Sequence, residues 1–247
     1  VAAGRAPSGV VAAPDAVVVA AERGEEEAVL AWLDSGGRAD AVCERRGVSG
    51  LTLLMGAAHY GHERVVELLL QHGADINLQN SVGITALIDA AFQGHERVVE
   101  LLLRHGAKVN LQDSDGATAL MFAAIQGHKR LVDLLIRHGA EINMQDSDGG
   151  TAMIGAAFFN RPAVVRRLLR AGADAAPTVN GKTALQLAKE QGHAECVNVL
   201  AEAAAAVADG RAGAGASSGA AAAAVHAPLL GQRVVLGGLS ARPELNG

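Results

Sequence analysis

The chain is 247 residues long, half of them hydrophobic but only 2% aromatic, so its core must be built from Ala, Leu, Val and Ile, which suits closely packed helices. A net charge of −5 leaves no basic footprint for nucleic acid, and no apolar run approaches the roughly 20 residues that span a bilayer. Cys43 and Cys196 lie far apart, with neither metal spacing nor a disulfide framework. That fits a reducing compartment and an intracellular location, cytoplasmic or nuclear.

In chain order, residues 1–14 lack the charged and apolar blocks of a signal peptide and are expected to form a disordered tail. "DAVVVAAERGEEEAVLAWLDSGGRAD", within 15–46, predicts a helix–turn–helix with Gly24 at the turn and Trp32-Leu33 on the second helix. A repeat then begins. Thr52, Thr85, Thr118 and Thr151 are 33 residues apart, and Thr183 follows at 32. Gly61-His62, Gly94-His95, Gly127-His128 and Gly192-His193 keep step, as do the Gly-Ala pairs at Gly73, Gly106, Gly139 and Gly172. The units fall at 47–79, 80–112, 113–145, 146–177 and 178–203.

Each unit carries its own structural logic. In "TALMFAAIQGH" the Thr caps a short helix whose alanines allow close packing, and Gly-His ends it through a glycine free to take positive φ. In "RLVDLLIRHGA", Leu131, Leu134 and Leu135 form the apolar stripe of a second helix. "AEINMQDSDG" then reads as an extended loop closed by a turn. One such helix pair cannot bury its apolar face alone, but stacked neighbours can.

The period of 33, with "G-x-T-A-L", "A-A-x-x-G-H", "V-V-x-L-L-L" and "G-A-x-I-N", resembles the ankyrin repeat from about Gly47 to Ala203, with 15–46 as a degenerate N-terminal cap. The resemblance implies an all-α solenoid of helix-turn-helix units linked by β-hairpin loops. The chain departs from the family's "T-P-L-H": Met55, Ile88, Met121, Ile154 and Gln186 stand where His is usual, so these units are expected to lean on apolar contacts. Asn160-Arg161-Pro162 replaces Gly-His in the fourth unit, predicting a different turn and a softer joint. Residues 204–230 form an Ala/Gly/Ser linker. Residues 231–247 resemble the opening of a small β-barrel module that accompanies ankyrin arrays in some algal and protist proteins. The chain opens at Val1 rather than Met and stops in mid-pattern, so it is expected to be a piece of a longer protein.

No enzyme, metal or cofactor signature survives inspection. "QDSDGATAL" (Gln112 to Leu120) and its copy "QDSDGGTAM" begin like a calcium loop, but no acid stands about twelve residues on, where that loop needs a bidentate Glu. Asp113 and Asp146 are instead expected to bond nearby backbone N–H groups and fix a turn. Gly181-Lys182-Thr183 lacks the glycine five residues before and a leading strand, so it is not a phosphate loop. "GAGASSG" lacks the dinucleotide spacing and is assigned to the linker. Equivalent histidines of successive units stand about 10 Å apart, too far to share one metal ion.

The resemblance implies a non-catalytic, monomeric scaffold that binds a protein partner through a concave groove and hairpin tips. Four of the six aromatics, Tyr60, Phe92, Phe158 and Phe159, fall in one pair of slots just before the inter-helix turn, shared with Gln93, Ile125 and Gln126. They serve either as padding between units or as partner anchors. Val48, Leu51, Val82 and Ile84 at the tips extend the surface, with Asp115 and Asp148 as an acidic rim. Two alternatives stand beside this. The array delivers a catalytic or zinc-finger region outside the given sequence, or it is a substrate of asparaginyl hydroxylases. Asn77, Asn110 and Asn143 resemble the modified position, each with a Leu eight residues back and an Ile or Val directly before, though Lys108 breaks the accompanying acid in the middle unit.

Overall fold

The computed structural model describes residues 12–45 and 47–208; the expected β module and all but the first five residues of the expected linker lie outside the described residues. Helices come in pairs. The first pair is α1 (Asp15–Arg23) and α2 (Glu26–Asp34), followed by the antiparallel strands β1 (Val42–Arg45) and β2 (Val48–Thr52). Then come α3 (Leu53–His59) with α4 (Glu63–Gln71), α5 (Ala86–Gln93) with α6 (Glu96–Arg104), and α7 (Ala119–Gln126) with α8 (Lys129–Arg137). After α9 (Ala152–Phe158) and α10 (Pro162–Arg170), a second hairpin of β3 (Thr178–Val179) and β4 (Lys182–Thr183) leads into α11 (Ala184–Glu190) and α12 (Ala194–Ala208).

After α1, which follows Pro14 without a side-chain cap, each first helix starts where a threonine can cap it. Thr52, Thr85, Thr118, Thr151 and Thr183 sit in extended backbone and accept a hydrogen bond from the amide three residues on. Such a cap contributes about 1 kcal/mol. The slot after it is apolar in four units, where Met55, Ile88, Met121 and Ile154 are buried. In the last unit Gln186 instead accepts a bond from the Thr183 amide at 2.8 Å, completing a capping box.

First helices stack in one row and second helices in another, so every helix pair is covered by its neighbours. The second helices bury Val65, Val66 and Leu69, then Val98, Val99 and Leu102, then Leu131, Val132 and Leu135, and finally Val164, Val165 and Leu168. Burying each such side chain contributes roughly 1.5–3 kcal/mol before entropy is counted. The solvent side carries inter-unit ion pairs, Arg97–Glu63 and Arg130–Glu96 at 3.6 Å and Arg166–Glu195 at 3.0 Å. Being exposed, each contributes about 1 kcal/mol or less.

Three expectations are corrected. The tail is not free to its end: the Ala13 amide bonds the Val42 carbonyl at 2.9 Å, and Ala13 is buried. The linker does not begin at 204, because α12 runs on to Ala208 along an alanine-rich stretch of high helix propensity. The fourth inter-helix turn does not differ from the others. Asn160 takes φ 54°, the left-handed conformation that glycine holds elsewhere, and the Arg161 amide closes the turn on the Ala156 carbonyl at 2.8 Å. Asn is the residue after glycine that tolerates this region best, so the turn survives the substitution.

Candidate functional site

The histidines settle first, because they turn out to join the units. His62 donates from Nε2 to the Glu22 carbonyl at 2.8 Å, His95 to that of His59 at 2.9 Å, and His128 to that of Phe92 at 3.2 Å. Arg161 fills the same role from Nε to the Ile125 carbonyl at 2.8 Å, and His193 reaches the Ala157 carbonyl at 3.1 Å. A Cβ on Gly94, at φ +90°, would meet the His128 ring at 2.6 Å, so the glycine serves both the turn and the approach of the next unit.

The hairpin tips are joined as well. Backbone bonds run from Ser81 to Ser49, from Ser114 to Val82 and from Ser147 to Asp115, at 2.9–3.0 Å. Asp113 Oδ1 accepts the Asp115 and Ala117 amides at 3.0 and 2.8 Å, and Asp146 Oδ1 accepts those of Asp148 and Gly150 at 3.0 and 2.6 Å. Asn80 makes the equivalent pair of bonds to Val82 and Ile84. The acids therefore shape the turn. Among the described residues no three His, Cys, Asp or Glu side chains converge as a metal ion would require. Burial raises the thiol pKa of Cys43 and of Cys196, which disfavours the thiolate a nucleophile needs.

Asn77, Asn110 and Asn143 each use Oδ1 to accept an amide of the next unit, from Lys108 at 2.8 Å and from Glu141 and Asp174 at 2.9 Å. Gln79 and Gln112 form a parallel ladder, each bonding its own turn carbonyl and one in the following unit. The glutamines went unnoticed in the sequence, although they recur at the same period.

The proposed anchors divide by burial. Tyr60, the C-cap of α3, is 52% exposed, and Phe159, the C-cap of α9, is 37% exposed. Val82 at its tip is also exposed, Asp148 is exposed, and Asp115, Gln93 and Gln126 are half-buried. Phe92 and Phe158 are half-buried: Phe92 meets Phe122 of the next unit edge-on at 5.7 Å, and Phe158 meets Phe159 at 5.1 Å. Ile84 and Ile125, expected at the surface, are only 3% exposed. They belong to the core that adjacent units share and are not available to a partner.

A further slot, four residues after each threonine, was missed. It holds Gly56, Asp89, Phe122 and Gly155 in successive units. Its signal was the change of chemistry at a fixed repeat position inside an otherwise uniform helix. Asp89 is buried; its Oδ1 lies 3.5 Å from His59 Nδ1, and Gln93 Nε2 lies 3.2 Å from His59 Nε2.

Capped helix pairs, covered on both sides and joined tip to tip, define a helical-repeat solenoid, in which side chains serve contacts between units or face outward along one edge. A family model of ankyrin repeats, in three copies, matches residues 17–113 and 107–178, and the chain belongs to the ankyrin repeat family. Ankyrin repeats are generally protein–protein interaction modules and typically non-catalytic. Comparison with curated proteins finds no match. Among the described residues no helix is long and apolar enough to cross a membrane.

Proposed function

We propose that the array is a non-catalytic scaffold that binds a protein partner along the groove between its first helices and its hairpin tips, as an intracellular monomer. One observation carries this. Among the described residues four large hydrophobic side chains are exposed, and three of them stand in the slots that the groove reading names, Tyr60 and Phe159 at the ends of first helices and Val82 at a hairpin tip, with only Leu30 elsewhere, on α2. Exposed apolar side chains scattered at random need no explanation, whereas aromatic ones that recur at the same end of first helices suit a contact surface. Asp148 and Asp115 at the hairpin tips favour a partner that is apolar with some basic character.

The test is partner capture with the wild-type chain and with Tyr60→Ala/Phe159→Ala. Both residues are helix caps at the surface, so helicity by circular dichroism is expected to be unchanged. Loss of the captured partner supports the groove; undiminished recovery with intact helicity removes it.

A further inference from the structure

The first-helix face changes chemistry halfway along. Towards the N-terminus it presents Glu22 of α1, His59 of α3, and Asp89 and Gln93 of α5; α7 and α9 carry no charged residue. There the Asp89 slot holds Phe122 and then Gly155, and the His59 slot holds Ile125 and Phe158, while Gln126 keeps the Gln93 slot and Phe92 already stands in the His59 slot on α5. Asp89 stands where the next unit has Phe122, and a buried carboxylate is costly unless it is partnered. Its placement against His59, the neighbour of the exposed Tyr60, is therefore a departure from the pattern that packing alone would favour.

Tyr60 is held from two sides. The His59 ring meets it edge-on at 4.8 Å, and the His62 ring lies near-parallel at 6.4 Å, yet about half of the residue remains exposed. The Asp89 carboxylate lies against the adjoining His59, and Glu22 pairs with Arg45 at 3.4 Å. A Cβ on Gly56, one turn before Tyr60, would lie 3.4 Å from Glu22 Cγ, so this acid borders the same patch. An open aromatic face backed by carboxylates suits a cation, which gains attraction to the ring quadrupole and to the nearby negative charge.

We infer that the groove is bipartite and that its partner is an extended peptide segment placing a Lys or Arg on the exposed Tyr60, in the field of the buried Asp89 and of Glu22 rather than in contact with them, and a large apolar side chain on Phe159. The two positions are three units apart, about 30 Å at the usual helix-pair spacing of about 10 Å. An extended chain covers that in about nine residues. This rests on the groove reading above and adds to it the partner's chemistry and spacing.

The experiment selects binders to the full chain from a displayed library of random 16-residue peptides. It then measures Kd by fluorescence polarisation for a selected peptide and for its analogue with the cation replaced by Gln. Enrichment of a Lys or Arg about nine positions from an aromatic or aliphatic residue is expected. Tyr60→Ala and Asp89→Asn should each weaken the basic peptide about five- to tenfold and leave the Gln analogue unchanged, while Phe159→Ala weakens both alike. If Asp89→Asn disturbs folding, Tyr60→Ala, at the surface, decides alone. Enriched peptides with no preference for a cation, or equal losses for both peptides, overturn the bipartite groove and leave the groove reading standing. No enrichment of any peptide, or binding indifferent to Tyr60 and Phe159, overturns both.

Discussion

Asp146 puts a carboxylate where water barely reaches. Its Oδ1 accepts two amides, but Oδ2 is buried without a partner. Burial therefore raises its pKa above the ordinary carboxylate value, outweighing the two backbone bonds that lower it, and Asp148 and Asp115 add to the rise. The linkage sign follows. A folded-state pKa above the unfolded one means the native state binds the proton more tightly, so this group's contribution to stability is greatest below the unfolded pKa and is lost as pH rises through the folded value. Asn80 shows that an amide serves the same slot, with the same two bonds. Asp146→Asn is expected to raise the melting temperature at neutral pH by about 1–4 °C and to flatten this part of the pH dependence, measured by thermal melts between pH 3 and 7. The turn role of Asp146 was legible from "DSDG". The orphaned oxygen was not, because it depends on how closely the neighbouring tip covers it.

At the level of elements, the helices and their caps were legible because threonine, glycine and the leucine stripe act within one unit. The contacts between units were legible only as a period. Asn77, Asn110 and Asn143 recur at one repeat position, and that recurrence alone does not say what their side chains reach. The structure shows Oδ1 of each closing on the next unit, with Asn110 Nδ2 also bonding the Gly139 carbonyl at 3.3 Å. Asn110→Ala removes these links, and the bond from Nδ2 to the exposed Glu141 carboxylate at 3.2 Å, from the middle of the array. It should lower stability by about 1 kcal/mol, seen as a melting temperature about 2–4 °C lower, with no change in helical content. The same limit explains the misplaced anchors. Ile84 and Ile125 sit in variable repeat positions, but whether such a position is open depends on the size of the residue opposite, which lies about 33 positions away. Tyr60 and Phe159 were legible as surface residues for a local reason, since each ends a helix in the turn, where the chain faces outward.

Over the described residues, the contacts that join units run between nearest neighbours: the imidazole bonds, the tip ribbon, the Asn and Gln ladders, and the stacked helices. Stability is then close to a sum of unit and interface terms, and a unit with two neighbours outlasts one at an end. The units of α5–α6 and α7–α8 have full interfaces on both sides. The α1–α2 pair has one helical neighbour, and α12 has α10 and α11 behind it but no following unit among the described residues. Opening should therefore proceed from the ends inward. Hydrogen–deuterium exchange read by mass spectrometry is expected to show α7 and α8 amides exchanging at least about tenfold more slowly than those of α2 and α12. A substitution that loosens the fourth unit, such as Arg161→Ala, which cuts its bond to the Ile125 carbonyl, should speed exchange in α9–α12 and leave α3–α6 nearly unchanged. Equal acceleration throughout the array would mean that it opens as one cooperative body. The two halves of the bipartite groove could not then be altered independently, and the contrast between Tyr60 and Phe159 variants would disappear with that independence.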